Sequence, residues 1–451
     1  MPAPADPSPA ASAETSEPAD VRSADTVCDD LAAYIDASPS PYHAVESTAV
    51  RLESSGFVEL DERSPWQDVA RGFVRRGGGL VAWAAPDDAT PATPLRVVGA
   101  HTDSPNLRLK PRPDTGSVGI AKLGVEVYGG VLLNSWLDRD LGISGRVALR
   151  SLSGSGPAEI TERLLVVDRP VARVPQLAIH LDREINERGL LLDRQRHLSP
   201  MWAEGAGDHG AFARWLAEEL AVETDAIAGW DLMFHDLTPS RRLGRDDAWL
   251  AAPRIDNLAS CHAGTEAILA GGGNGSSVAV LALFDHEEVG SMSATGAQGP
   301  LLSTVLTRRH EGAGGCADDF HRAIAASVCI SADGAHATHP NMAERHEPEH
   351  HIAMNAGPVI KRNANERYAT SGVGQATAAE ACRAAGVPHQ LFVNRTDLAC
   401  GSTIGPLTAA RLGMATVDMG IAQLSMHSAR ELCGAADPAM LVAALTAFLE
   451  G

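Results

Sequence analysis

Val278-Ala279-Val280-Leu281-Ala282-Leu283 is an unbroken apolar run of strand length, and it ends directly in Phe284-Asp285-His286-Glu287-Glu288-Val289-Gly290. A strand with no polar face must be covered on both sides, which puts it inside a sheet flanked by helices and puts the acidic pair at its carboxyl end. Adjacent carboxylates at the mouth of a buried strand repel each other and lose hydration unless a cation or a proton compensates. A metal ion is the simplest compensation. An isolated Glu-Glu pair more commonly opens a solvated helix, so the choice rests on what else the chain brings to strand ends.

The same pattern recurs along the chain. Leu95 to Ala100 is apolar on both faces and runs into His101-Thr102-Asp103. Helical periodicity over Asp256 to Ala270 and Ala317 to Ala326 alternates with strands at Val278 to Leu283 and Val328 to Ser331, which predicts an α/β fold with a mainly parallel sheet flanked by helices. Nearer the start, Val27, Leu31, Ala32, Tyr34 and Ile35 form a helical face, Pro39 and Pro41 interrupt it, and a second helix follows from Ala44 to Ser54. Strands around Phe73-Val74-Arg75 and Leu80 to Trp83 flank Gly77-Gly78-Gly79 as a hairpin. Between Leu109 and Trp249 the pattern changes to short β-rich segments with one helix, Ala211 to Leu220, so a separate module interrupts the α/β domain. The expected division is a disordered tail over residues 1–25, an α/β domain over 26–108 and 248–451, and an inserted β-rich domain over 109–247, to which the resemblance given below assigns subunit association.

With 451 residues the chain has room for two domains. A formal net charge of -20 opposes non-specific nucleic-acid binding, and no apolar run is long enough to span a bilayer. Nucleic acid and membrane are therefore not expected as partners. Seven scattered cysteines suit small core residues in a reducing cytoplasm better than a disulfide frame, and the acidic start lacks the basic and apolar regions of a secretory signal.

Four more places put polar ligands where a strand or a tight turn ends: His101 with Asp103, Asp256, Asp333 and His427. Singly, such an Asp is ordinarily a cap or turn former and such a His a satisfied core or surface residue. Together with Glu288 they supply imidazole and carboxylate only, which excludes a thiolate structural zinc site and suits a catalytic cluster. Two divalent ions sharing one carboxylate need about five protein ligands, and that number is present. Glu287, next to a ligand but pointing elsewhere, is then free to move a proton.

Eight stretches, in order across residues 26–450, carry a resemblance: Gly99-Ala100-His101-Thr102-Asp103-Ser104-Pro105, Trp136-Leu137-Asp138-Arg139-Asp140-Leu141, Leu177-Ala178-Ile179-His180-Leu181, Arg254-Ile255-Asp256-Asn257, Asp285 to Ser291, Ala335-His336-Ala337-Thr338-His339-Pro340-Asn341, Ile360-Lys361 and Met426-His427-Ser428. In these the chain resembles the aspartyl aminopeptidase family of dinuclear zinc exopeptidases.

The resemblance implies two zinc ions per subunit, one on His101, Asp256 and Asp333 and the other on Asp256, Glu288 and His427, with Asp256 as the bridge. Cobalt and manganese also accept these ligands. It further implies Glu287 as general acid/base, Asp103 as the residue orienting His101, and His180, His336, Lys361 and Tyr368 as substrate contacts, with His180 reaching a neighbouring subunit's site. The activity implied is removal of single residues, preferably Asp or Glu, from peptide N-termini by a homo-oligomer, a dodecamer built from dimers. A related enzyme of broad or apolar preference and a protein that keeps the fold without the activity are the competing readings.

Overall fold

The computed structural model describes residues 23–151 and 158–451. Most of the tail therefore lies outside the described residues. Ala24 and Asp25, expected in that tail, instead open the Ala24–Asp36 helix, with the Ser23 side chain accepting from the Thr26 N–H as its N-cap. Pro41 does not interrupt the helix that follows. It occupies the first turn of Pro41–Ser54, where a missing N–H costs nothing.

A nine-stranded sheet forms the backbone of the α/β part. At its centre Val278–Phe284, Leu95–His101, Val328–Ala332 and Ala415–Gly420 lie side by side and parallel. Antiparallel pairings frame them: Gly79–Ala84 beside Val278–Phe284 on one side, and Val359–Arg362 beside Ala415–Gly420 on the other. The sheet is thus mixed, with its parallel stretch at the centre. Every residue of Val278–Phe284 is buried, as its lack of a polar face demands.

One face is covered by Ala24–Asp36, Pro41–Ser54, Ile255–Gly271, Gly372–Ala384 and Asp437–Glu450, whose Leu31, Leu52, Leu258, Ala378, Leu441 and Phe448 share a core with Leu281 and Leu283. Helices Leu301–Gly312, Ala317–Ala325 and Ile404–Leu412 close the other face through Leu301, Val305, Ile324 and Ile404 against Val280 and Ala282. The alternation along the central strand sends neighbouring side chains to opposite cores.

A six-stranded antiparallel sheet is built from Asn106–Ser117, Ile120–Tyr128, Leu141–Arg150, Ile160–Ala172, Met201–Glu204 and Ile227–Asp236. Phe212, Leu216 and Leu220 of the Ala211–Leu220 helix fill its core. Asn106 to Arg108, expected in the α/β part, already pair with Ile120–Tyr128 here. Arg241–Leu243, expected in the insert, pairs instead with Trp249–Ala252, in a five-stranded sheet that also holds Glu431–Gly434, Ala422–Leu424 and Ala335–His336.

Two buried histidines lie where the two parts meet. His43, on Pro41–Ser54, bonds Ser40 Oγ (2.7 Å), and His235, on Ile227–Asp236, bonds Ser144 Oγ (3.1 Å). Burial and then the Arg254 guanidinium push His43 down to about 4 and His235 to about 3. Both values lie below the ordinary unfolded value near 6.5, so above that pH neither state holds the proton and nothing is lost. Below it the unfolded chain takes up protons first, and stability falls as pH drops from about 6.5 through 4 toward 3. Thermal denaturation with metal chelated throughout is expected to show that decline, and a His43→Asn/His235→Asn double variant is expected to show a shallower one.

Candidate metal centre

The carboxyl ends of three adjacent parallel strands set the site. Phe284 is paired in register with His101, so Glu287 and Glu288 emerge beside His101. Val328–Ala332 lies on the other side of Leu95–His101 and delivers Asp333 to the same edge. Asp256 stands at the start of the Ile255–Gly271 helix, after Arg254 at positive φ. His427 follows Ala422–Leu424 in a tight turn, also at positive φ.

These residues form two triads that share one carboxylate: His101, Asp256 and Asp333, and Asp256, Glu288 and His427. Asp256 Oδ1 lies 3.3 Å from His101 Nε2, and its Oδ2 lies 3.4 Å from His427 Nε2. His101 Nε2 is 3.6 Å from Asp333 Oδ2, and His427 Nε2 is 3.3 Å from Glu288 Oε2. A tetrahedral ion with bonds of about 2.0–2.2 Å keeps its donors about 3.3–3.5 Å apart, so the spacing and the ligand chemistry both fit divalent cations. Asp256 Oδ1 and Glu288 Oε1 are buried with no hydrogen-bond partner, as ligand atoms are before an ion is counted.

The imidazole tautomers are set from behind. His101 Nδ1 donates to the Asp103 carbonyl (3.0 Å) and His427 Nδ1 to the Gly130 carbonyl (3.1 Å), so each ring turns its Nε2 to the cluster, the atom a metal ion would take. The Asp103 carboxylate accepts from the Glu287 and Glu288 N–H groups (3.1 Å each) and from the Tyr128 hydroxyl (2.7 Å). It lies 3.5 Å from His101 Nδ1 through Oδ1. Asp103 thereby ties the glutamate turn to the histidine strand.

Charge in the cluster is strongly unbalanced. Burial pushes the Glu287 carboxyl up to about 8, with Asp333, Asp103 and Asp256 adding to the rise against the pull of His101. Burial, and then Asp256, drive Glu288 up as well. Burial alone would lower His427, yet Asp256 and Glu288 raise it to about 10, and His101 is raised in the same way by Asp103, Asp256 and Asp333. Each shift is the response of a pocket that calls for positive charge.

Glu287 belongs to neither triad. Its Oε2 lies 3.9 Å from His101 Nε2, and His101, Glu287 and Glu288 fall within ligand reach of one another. Lys361 is 1 % exposed, and its Nζ donates to Asp333 Oδ1 (2.8 Å) and to the Gly334 carbonyl (3.0 Å). Two of its three donors are therefore taken within the chain. The ammonium also lies 5.0 Å from the centre of the Tyr368 ring; Tyr368 and His336 both meet Phe392, at 6.3 Å between ring centres. His180 is elsewhere, exposed on the short turn Ile179–Leu181 between exposed Leu177 and Leu181.

Three participants escaped sequence reasoning. Tyr128 holds Asp103, and Gly129-Gly130 lets the insert's chain come close: a Cβ on Gly129 would lie 3.1 Å from Glu288 Cβ, and one on Gly130 3.0 Å from His427 Nδ1. Paired glycines closing a strand were the available signal. The third is Glu431, four residues after His427, whose carboxylate is buried behind the site.

The family model described as aminopeptidase I zinc metalloprotease (M18) matches residues 34–449. A Streptomyces coelicolor protein named "Probable M18 family aminopeptidase 2" is 53% identical over 429 residues, 94% of this chain and 97% of that one. A Mycobacterium tuberculosis protein of the same name is 51% identical over 428 residues, covering 93% and 97%. Among solved structures, a chain of the Ape4 and Nbr1 complex superposes with a TM-score of 0.90 at 34% identity, over 95% of this chain and 86% of that one. The S. cerevisiae mApe1 dodecamer gives a TM-score of 0.81 at 29% identity, over 94% and 96%.

Zinc analysis of purified variants tests the roles assigned to the two acids. Asp256→Ala removes an oxygen from each triad and is expected to lose metal from both. Glu287→Gln is expected to keep the zinc content of the parent, and loss of zinc from that variant would make Glu287 a ligand.

Proposed function

The chain belongs to the aminopeptidase I zinc metalloprotease (M18) family, and from that premise we propose that it removes single N-terminal residues, preferably Asp or Glu, from peptides with two zinc ions per subunit. The observation that carries the dinuclear reading is Asp256, which points one carboxylate oxygen at each of the two histidines. Bound there, the ions would polarise the scissile carbonyl and acidify the attacking water.

The chain's own groups do the rest. Glu287, beside His101 but in neither triad, takes the proton of the attacking water and returns it to the leaving amine. His336, whose ring meets Phe392, donates to the oxyanion that develops on the substrate. The remaining donor of Lys361 meets the carboxylate of an acidic first residue. His180 sits in an exposed apolar turn that suits cover by a second subunit, and it serves a neighbouring site in a homo-oligomer.

One observation favours the second reading, an aminopeptidase of broad or apolar preference. Lys361 is already paired with Asp333, and its charge is in part spent inside the chain.

Hydrolysis of Asp-, Glu-, Leu- and Ala-p-nitroanilide, with and without chelator, separates the readings. Activity that survives complete metal removal would end the metallopeptidase proposal. Glu287→Gln is expected to lower turnover by about a hundredfold to ten-thousandfold with zinc retained. Lys361→Met is expected to cut the preference for Asp over Leu by roughly tens to thousands in kcat/KM, the scale of removing one partner of a buried charge pair. An equal loss on both substrates would assign Lys361 to Asp333 alone and leave the broad preference standing.

A further inference from the structure

Glu431 is 2 % exposed, and among the described residues no lysine or arginine is ion-paired with it. A carboxylate taken out of water without a cation is costly, so its partners deserve an account. Its two oxygens accept from two backbone groups. Oε2 takes the Asp256 N–H at 2.9 Å, and Oε1 takes the His427 N–H at 2.7 Å. One side chain thus bridges the main chains of two residues that lie 171 positions apart in sequence and face one another across the cluster.

The surroundings hold Glu431 still. It opens the Glu431–Gly434 strand and pairs with Ala252, at the end of the strand that leads through Pro253 and Arg254 into Asp256. Its neighbour Arg430 donates to the carbonyls of Thr238, Pro239 and Ala251. The residues it holds are the ones that need holding. His427 sits at φ 68°, a left-handed conformation that costs a non-glycine residue energy, and Asp256 has non-helical φ/ψ inside the helix it starts. Only an acceptor at both ends of the side chain meets two N–H groups at once; an amide turns one of its ends into a donor.

Resting on the dinuclear reading above, we infer that Glu431 is a positioning residue that fixes the separation of Asp256 and His427 and so builds the ion site formed by Asp256, Glu288 and His427. That site has two of its three ligands on this tether. The site of His101, Asp256 and Asp333 has one. Loss of the tether therefore weakens the two sites unequally, and outer partners of metal ligands typically change affinity about 10–100-fold.

The test is a zinc titration of the full-length apo protein against a fluorescent chelator, comparing wild type with Glu431→Gln and Glu431→Asp. Asp keeps the charge and both acceptors but is one methylene too short to reach both loops. Expected are two sites in wild type and, in both variants, one site weakened about 10–100-fold with the other nearly unchanged. Turnover should fall at fixed KM and recover in excess zinc. Circular dichroism and the apo melting temperature serve as controls for folding, and if the Gln variant fails to fold the Asp variant carries the comparison. Wild-type affinity at both sites in a folded variant overturns the inference, as does equal weakening of both sites. Fewer than two sites in wild type would instead overturn the dinuclear reading.

Discussion

Mutual repulsion among buried carboxylates is the constraint on which the structure depends. Asp103, Asp256, Glu288, Asp333 and Glu431 are all withdrawn from solvent or nearly so, and they converge on the carboxyl edge of one sheet. Such a group would not survive in a core unless its charge were answered. Part of the answer is internal: Lys361 on Asp333, the Tyr128 hydroxyl and two glutamate N–H groups on Asp103, and the Asp256 and His427 N–H groups on Glu431. Among the described residues, buried oxygens of Asp256 and Glu288 have no hydrogen-bond partner, which suits a zinc ligand.

That electrostatic demand explains the company of rigid elements around the site. The central parallel strands are buried on both faces and set the positions of His101, Glu288 and Asp333 through their register. Asp256 and His427 come from irregular turns, where the backbone has no ladder to fix it, and both receive the Glu431 carboxylate, as the Glu287-Glu288 turn receives that of Asp103. Positive φ at Arg254, His286 and His427 concentrates strained backbone at the same edge, as is common where geometry serves chemistry.

The β-rich part is more than an attachment. Through Tyr128 it bonds Asp103, and through the Gly130 carbonyl it selects the tautomer of His427. Glycines at 129 and 130 let the backbone come close, since a Cβ at either would crowd Glu288 or His427. The site is therefore completed by a segment that sequence pattern assigns to a different module.

Much of this was written in the sequence, and the physical reason is locality. An apolar run ending in acids fixes strand, burial and polarity within ten residues, so Leu95–His101, Val278–Phe284, Val328–Ala332 and the five ligand candidates could be read directly, whereas the central strand Ala415–Gly420 and the helices Leu301–Gly312, Gly372–Ala384, Ile404–Leu412 and Asp437–Glu450 were not. The sheet is mainly parallel, as patterning predicts, but patterning could not locate its antiparallel pairs between Gly79–Ala84 and Val278–Phe284 and between Val359–Arg362 and Ala415–Gly420, because which strands become neighbours is decided far away in sequence. It started the second helix at Ala44, since only the three-dimensional start of Pro41–Ser54 shows that the missing N–H of Pro41 falls in the first turn. Lys361, Tyr128 and Glu431 carry no local signal of what they touch. Their roles are decided by contacts across 28, 25 and 175 positions of sequence, and hydrogen bonds at that range exist only once the tertiary fold has brought the chain together.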